Sequence, residues 1–166
     1  MHLMGLLVEN TKIVLGDVKL LDGGGIAGDR VSLKNYERCA VIIALDPASG
    51  TDVSAVTLKQ SKTVDNSPST EKALAFTQMW KTADTTLSDA LVATAVVANT
   101  FNTSNLAKKE VFVIEVLATD LDIDNDFDCI RVDMADPGSV STPAAVIYVL
   151  YNSRYKGATP PSAIVD

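Results

Sequence analysis

The sequence contains a single histidine, His2. A Ser-His-Asp triad needs a histidine as its base, and a His-ligated zinc site needs at least one well-placed imidazole. Neither is expected, and neither Cys39 nor Cys129 has a histidine to activate it. The two cysteines form no C-x-x-C or other metal-ligand spacing. Both stand at the start of apolar runs, where a small thiol packs well. Met1–Asn10 is apolar but short, lacks a basic leading region, is broken by Glu9 and is followed by Lys12. No secretory signal is therefore expected, and the cysteines are read as reduced core thiols. No run approaches the ~20 apolar residues of a membrane-spanning helix. Aromatic residues make up only 5%, with one tryptophan, which speaks against a stacking platform for sugars. Trp80 is read as a core or interface residue. A basic patch is missing too: 14 Lys and Arg face 21 Asp and Glu, a net charge of −7. The densest basic pair, Lys108-Lys109, is followed at once by Glu110. Nucleic acid is not an expected partner, because its phosphates would be repelled.

What is present is core material. Hydrophobic residues make up 47% of 166, the size of one domain, which buries roughly 70% of its unfolded surface. Valine is abundant and helix-forming charge ladders are missing, which favours strands. Ile13–Val18 reads as a first extended segment. Strands are predicted at Arg30–Leu33, Cys39–Leu45, Val53–Gln60, Glu110–Ala118, Cys129–Met134 and Ala144–Tyr151. Cys39–Leu45 is almost unbroken apolar sequence and reads as a strand buried on both faces. Ser69–Lys81 has a helix-like start, yet Leu74, Phe76 and Trp80 recur at period two, so strand is preferred. Ala90–Phe101 reads as extended. Turns are expected at Asp46–Gly50, Asp65–Pro68, Asn102–Asn105 and Asp136–Gly138. The predicted class is all-β: an antiparallel sandwich or jelly-roll-like barrel spanning 26–155. Gly23-Gly24-Gly25 marks a joint, leaving 1–25 as an N-terminal arm. Pro160-Pro161 marks 156–166 as a stiff tail.

Candidate chemistry is thin. Gly23–Gly28 superficially matches a nucleotide-binding loop, but it lacks the Lys-Ser/Thr of a phosphate loop, and no βαβ pattern surrounds it. Asp120, Asp122, Asp124, Asp126 and Asp128 alternate as calcium ligands do. Read as a calcium-binding loop from Asp120, however, the stretch puts Asn125 at the glycine position and Arg131 at the bidentate position. An acidic solvated corner pinned by Leu121, Ile123 and Phe127 is the better reading. No catalytic residue, metal or cofactor is expected.

Three stretches carry a family resemblance. Val31-Ser32-Leu33-Lys34-Asn35-Tyr36-Glu37-Arg38-Cys39 forms one polar corner before a Cys-led strand. Asp124-Asn125-Asp126-Phe127-Asp128-Cys129-Ile130-Arg131-Val132 forms a second. Tyr148 to Tyr155 closes the domain with a strand running into Arg154-Tyr155. Together, from Val31 to Tyr155, these resemble the cement or head-decoration proteins of tailed bacteriophages. The resemblance implies a β-sandwich or jelly roll on the exterior of the virion capsid, assembled in the bacterial host cytoplasm. It implies the major capsid protein as partner, homo-oligomers on the shell, no membrane and no enzymatic activity. Another virion part, such as a connector or tail component, is the alternative. A third possibility is a ligand- or carbohydrate-binding jelly roll, which a polar pocket near Trp80 would support. The residues expected to bind the partner are the apolar groups of the two ends: Leu6, Leu7, Val8, Ile13, Val14, Ile164 and Val165.

Overall fold

The computed structural model describes residues 6–47, 53–65, 70–82, 84–103, 108–138, 141–155 and 159–165. Met1–Gly5, part of each of the turns predicted at 46–50, 65–68 and 102–105, and tail residues 156–158 and 166 lie outside it. The chain folds as two antiparallel sheets forming a sandwich. After a one-turn helix, α1 (Leu7–Asn10), come β1 (Thr11–Leu21), β2 (Ile26–Ala27), β3 (Val31–Ser32), β4 (Tyr36–Leu45) and β5 (Ala55–Ser61). Then follow β6 (Glu71–Ala73), β7 (Phe76–Thr82), β8 (Val92–Ala98), β9 (Thr100–Asn102) and β10 (Glu110–Leu117). Two short 3-10 turns, Ala118–Asp120 and Ile123–Asn125, lead to β11 (Cys129–Met134) and β12 (Thr142–Ser153). The larger sheet has the order β1-β12-β4-β10-β7-β8 and the smaller β2-β11-β5-β6, with β3 also on β11 and β9 also on β5.

Alternation explains the core. Along β4, Cys39, Val41, Ile43 and Leu45 point inward and are buried, and β10 does the same with Phe112, Ile114 and Val116. Val56, Leu58, Ile130 and Val132 come from the smaller sheet to meet them. Both cysteines are buried, and neither is in a disulfide. Burial pushes the Cys39 thiol far up, and the nearby Glu115 carboxylate adds to the shift. The Ser69–Lys81 stretch resolves into two strands, β6 and β7, split at Leu74-Ala75.

Two expectations change. First, much of the stretch read as a hinged arm is part of the sheet. Thr11–Leu21 pairs with β12 from Tyr151 to Thr142, with one bulge at Gly16. Leu21 is fully buried and Val14 packs against the core. The physical reason is burial: β1 becomes the new edge of the sheet, and pairing with β12 places Leu21 and Val14 against the core. The glycines after β1 are also tied, since Lys19 Nζ donates to the Gly25 carbonyl at 2.8 Å and Ile26–Ala27 pairs with β11. Second, β4 is buried on one face only. Ala40, Ile42 and Ala44 point away from the core and are half-buried.

One contact bridges the sheets. β2 and β3 both pair with β11 but leave a gap opposite Val132. There the Val132 carbonyl accepts from Gly28 N–H (3.0 Å), and its N–H donates to the hydroxyl of Tyr148, across in the other sheet, at 2.9 Å. Tyr148 is fully buried and is seated by two glycines. A Cβ on Gly16 would stand 2.6 Å from its ring, and one on Gly28 2.6 Å from the Val132 oxygen. Asp29 N–H completes the bridge by donating to the Gly16 carbonyl at 2.9 Å.

Candidate interaction surface

The outward faces of the two sheets differ in character. On the smaller sheet, β11 presents Arg131 and Asp133, and β5 presents Lys59 opposite Arg131. Arg131 Nε donates to Asp133 at 2.7 Å, Lys59 Nζ lies 2.5 Å from Asp133, and Arg131 also reaches Glu71 of β6 at 3.0 Å. Arg30, buried just before β3, donates to the same Glu71 oxygen. Burial alone would raise the Asp133 carboxyl. Hydrogen bonds from Arg131 and Lys59 outweigh it and hold the group below the usual carboxylate range. This face is a solvated ion-pair network.

The outward face of the larger sheet is apolar. Its centre is Ile42 of β4, flanked by Ile147 and Val149 of β12 on one side and Val113 of β10 on the other. β1 extends it with Ile13, Leu15, Val18 and Leu20, each at least half exposed. The Gly16 bulge keeps Val18 and Leu20 on the same side as Ile13 and Leu15, where strict alternation would have turned them inward. At one end, Ala44, Ala145, Val111 and Val18 line an apolar hollow of about 340 Å³. At the other end is a hollow of about 450 Å³ beside Trp80, lined by Arg38, Gln78, Glu115 and Asp120 as well. Within this face Tyr151 donates its hydroxyl to Glu115 at 2.5 Å. Burial and that bond raise the tyrosine above its ordinary value.

The residues singled out in the two ends are placed as follows. Leu6, Leu7 and Val8 are all about two-thirds exposed on α1 and the residue before it. That turn is held by Glu9, whose carboxylate accepts from Leu6 N–H at 2.8 Å. Ile13 joins the apolar sheet face, whereas Val14 turns inward against the core. At the other terminus Ala163 is fully buried and its carbonyl accepts from Ser32 N–H at 2.8 Å, while the Tyr36 hydroxyl donates to the Pro161 carbonyl. Ile164 and Val165 project beyond this anchor and are exposed. Both ends are anchored at the same end of the larger sheet: α1 runs into Thr11, which lies opposite Tyr151, and the tail is tied to Tyr36, which lies opposite Ser153. Tyr155 is exposed at the same end, its neighbour Arg154 donating to the Asn35 carbonyl. Sequence reasoning missed Tyr155, Leu15, Val18 and Leu20 as surface groups. The apolar content of β1 was visible, but the face it presents depends on the bulge.

In the acidic corner the carboxylates turn to different partners. Asp122 is bonded by Lys72 and by Asn125 (2.9 Å), which lower it below the usual carboxylate range. Asp120 accepts from Leu117 N–H, Asp126 lies 3.8 Å from Lys62, and Asp128 accepts from the Cys129 thiol. Leu121 and Phe127 are the buried anchors, with Lys72 over the Phe127 ring at 4.1 Å, but Ile123 is half exposed. Among the described residues no group of three His, Cys, Asp or Glu side chains is placed to hold a metal ion, and no helix is long and apolar enough to cross a membrane.

No protein-family model matches the sequence, and no curated protein is significantly similar to it. Among solved structures the chain is similar to the crystal structure of the SPBc2 prophage-derived protein YomS, with a TM-score of 0.41 and 10% identity over 85% of this chain and 92% of that one. A likeness that remote carries no weight for function.

Proposed function

We propose that this protein is a structural component of a tailed-phage virion that attaches to the outside of the assembled capsid shell and reinforces it. The observation that carries the reading is the gathering of Leu6, Leu7, Val8, Tyr155, Ile164 and Val165 at one end of the sandwich, all exposed. These groups are fastened in place by Glu9 and Ala163 while their apolar surface stays in water, a cost of about 25 cal/mol per Å² that a partner surface would remove. The corner motifs Val31–Cys39 and Asp124–Val132, with their resemblance to cement proteins, support the same reading. The major capsid protein is the partner. Because β1 belongs to the sheet, the removable N-terminal segment is Met1–Asn10 and not the whole of 1–25. Undecorated capsids should co-sediment the intact chain. Removing Met1–Asn10 together with Ile164–Asp166 should weaken attachment with the fold retained. Attachment undiminished by the double truncation would remove the ends from the mechanism, and an intact chain that binds no capsid surface would end the reading.

The hollow beside Trp80 favours a second reading, a module binding a small polar ligand such as an oligosaccharide. It combines the only tryptophan with Arg38, Gln78, Glu115 and Asp120. Quenching of Trp80 fluorescence by a panel of oligosaccharides would support it, and unchanged emission across the panel would count against it.

A further inference from the structure

We infer that the apolar outer face of the larger sheet is the seat of a second copy of this chain, packed face to face across a two-fold axis. The first ground is the sequence of the three central strands. β4 (Cys-Ala-Val-Ile-Ile-Ala-Leu from Cys39), β10 and β12 are near-continuous apolar runs. Such runs belong to strands covered on both faces, whereas a half-solvated antiparallel strand alternates. The sandwich covers one face of each and leaves Ile42, Val113 and Ile147 half-buried on the other. The smaller sheet shows the alternating pattern instead, with Lys59, Arg131 and Asp133 outward.

The second ground is area. Six strands about 4.8 Å apart and eight residues long at about 3.3 Å each span roughly 29 by 26 Å, about 750 Å². A stable interface takes about 800 Å² from each partner. The third ground is charge, and it selects the occupant. The chain carries −7, yet its outward strand positions Arg38 and Glu115 on this face balance one another, and Tyr151 already engages Glu115. At its two ends Lys109 pairs with Asp46 and Asp120 adds one further charge, too few to select a charged partner, so a second copy meets little repulsion at the contact. An isologous pairing of one patch with itself closes at two chains. It repeats the aligned sheet-on-sheet packing already used inside the sandwich.

Sedimentation of the full-length protein, with no capsid present, tests this separately from shell attachment. The expected species is a dimer that dissociates on dilution. Trp80, the only tryptophan, stands on the face, so its emission should move to shorter wavelength with the same midpoint as the mass change. Ile147→Lys buries an unpaired ammonium in the contact and should weaken the dimer roughly a hundredfold or more. Thr57→Lys, on the outer face of the smaller sheet, should leave it unchanged. A monomer at every concentration overturns the inference, as does an assembly larger than two. So does a dimer that forms without a change in Trp80 emission, a readout that needs no variant to fold.

Discussion

Replacing Tyr148 with phenylalanine removes one oxygen and isolates one bond. The Val132 N–H points into the gap between β2 and β3, where β11 has no neighbouring strand to accept it. The Tyr148 hydroxyl fills that vacancy at 2.9 Å from the opposite sheet. Both residues are fully buried, so water cannot take over. The phenyl ring would keep its seat between Gly16 and Gly28, and packing would change little. What remains is a buried amide without an acceptor, which costs about 1–3 kcal/mol. For a chain of this length each 1 kcal/mol lowers the melting temperature by about 2–4 °C, so a central loss of about 2 kcal/mol gives about 4–8 °C. Thermal and urea melts of the two proteins should show this shift, with the urea slope unchanged because the exposed surface is unchanged. Hydrogen exchange should lose protection at the Val132 amide. A shift under about 1 °C with the Val132 amide still protected would refute the bridging role.

Three further outcomes are expected. Asp133 and Asp122 have folded values held below the ordinary unfolded value of about 3.9. The stability they contribute is therefore complete above that value and is lost as pH falls through the folded values. Asp133→Asn should melt with a shallower pH dependence between about pH 5 and 3 than the parent, read by melts across that range. Both cysteines should resist a thiol reagent in the native protein and react on unfolding, since each is buried and Cys39 is held protonated; rapid native labelling would contradict the packing of β4 and β11. Melting curves with and without a calcium chelator should coincide, because Asp122 is occupied by Lys72 and Asn125. A ligand at 100 times its dissociation constant would add about 2.7 kcal/mol, so a bound ion would be plain in the comparison.

Much of the fold was legible. Cys129–Met134 matches its predicted bounds, and β4, β5, β10 and β12 differ from theirs by a few residues at their ends. These strands carry their signal locally, as alternation or apolar runs bounded by Pro, Gly and Asp. Arg30–Leu33 shrank to Val31–Ser32: Gly28 N–H still bonds Val132 of β11, but Asp29 N–H turns to the Gly16 carbonyl and Arg30 to Glu71, which interrupts the pairing ahead of Val31. The candidate surface was legible only in part. Leu6–Val8, Ile164 and Val165 could be flagged as apolar ends, but their gathering with Tyr155 depends on where β1, β12 and the tail close on one another.

The sequence by itself determined the class of the fold and its core, because side-chain alternation and the branching of valine and isoleucine act within a few residues. It also showed Cys39–Leu45 as an unbroken apolar run, which read as a strand buried on both faces, whereas the structure buries one. Only the tertiary structure decided which cover each face receives. The inward face meets the smaller sheet, and the outward face is left half-buried by strand order, with β12 and β10 lying beside β4 and not over it. It also decided that Thr11–Leu21 is a strand and not a loose arm. Pairing with β12 is what buries Leu21 and Val14, and it depends on contacts between residues more than a hundred positions apart.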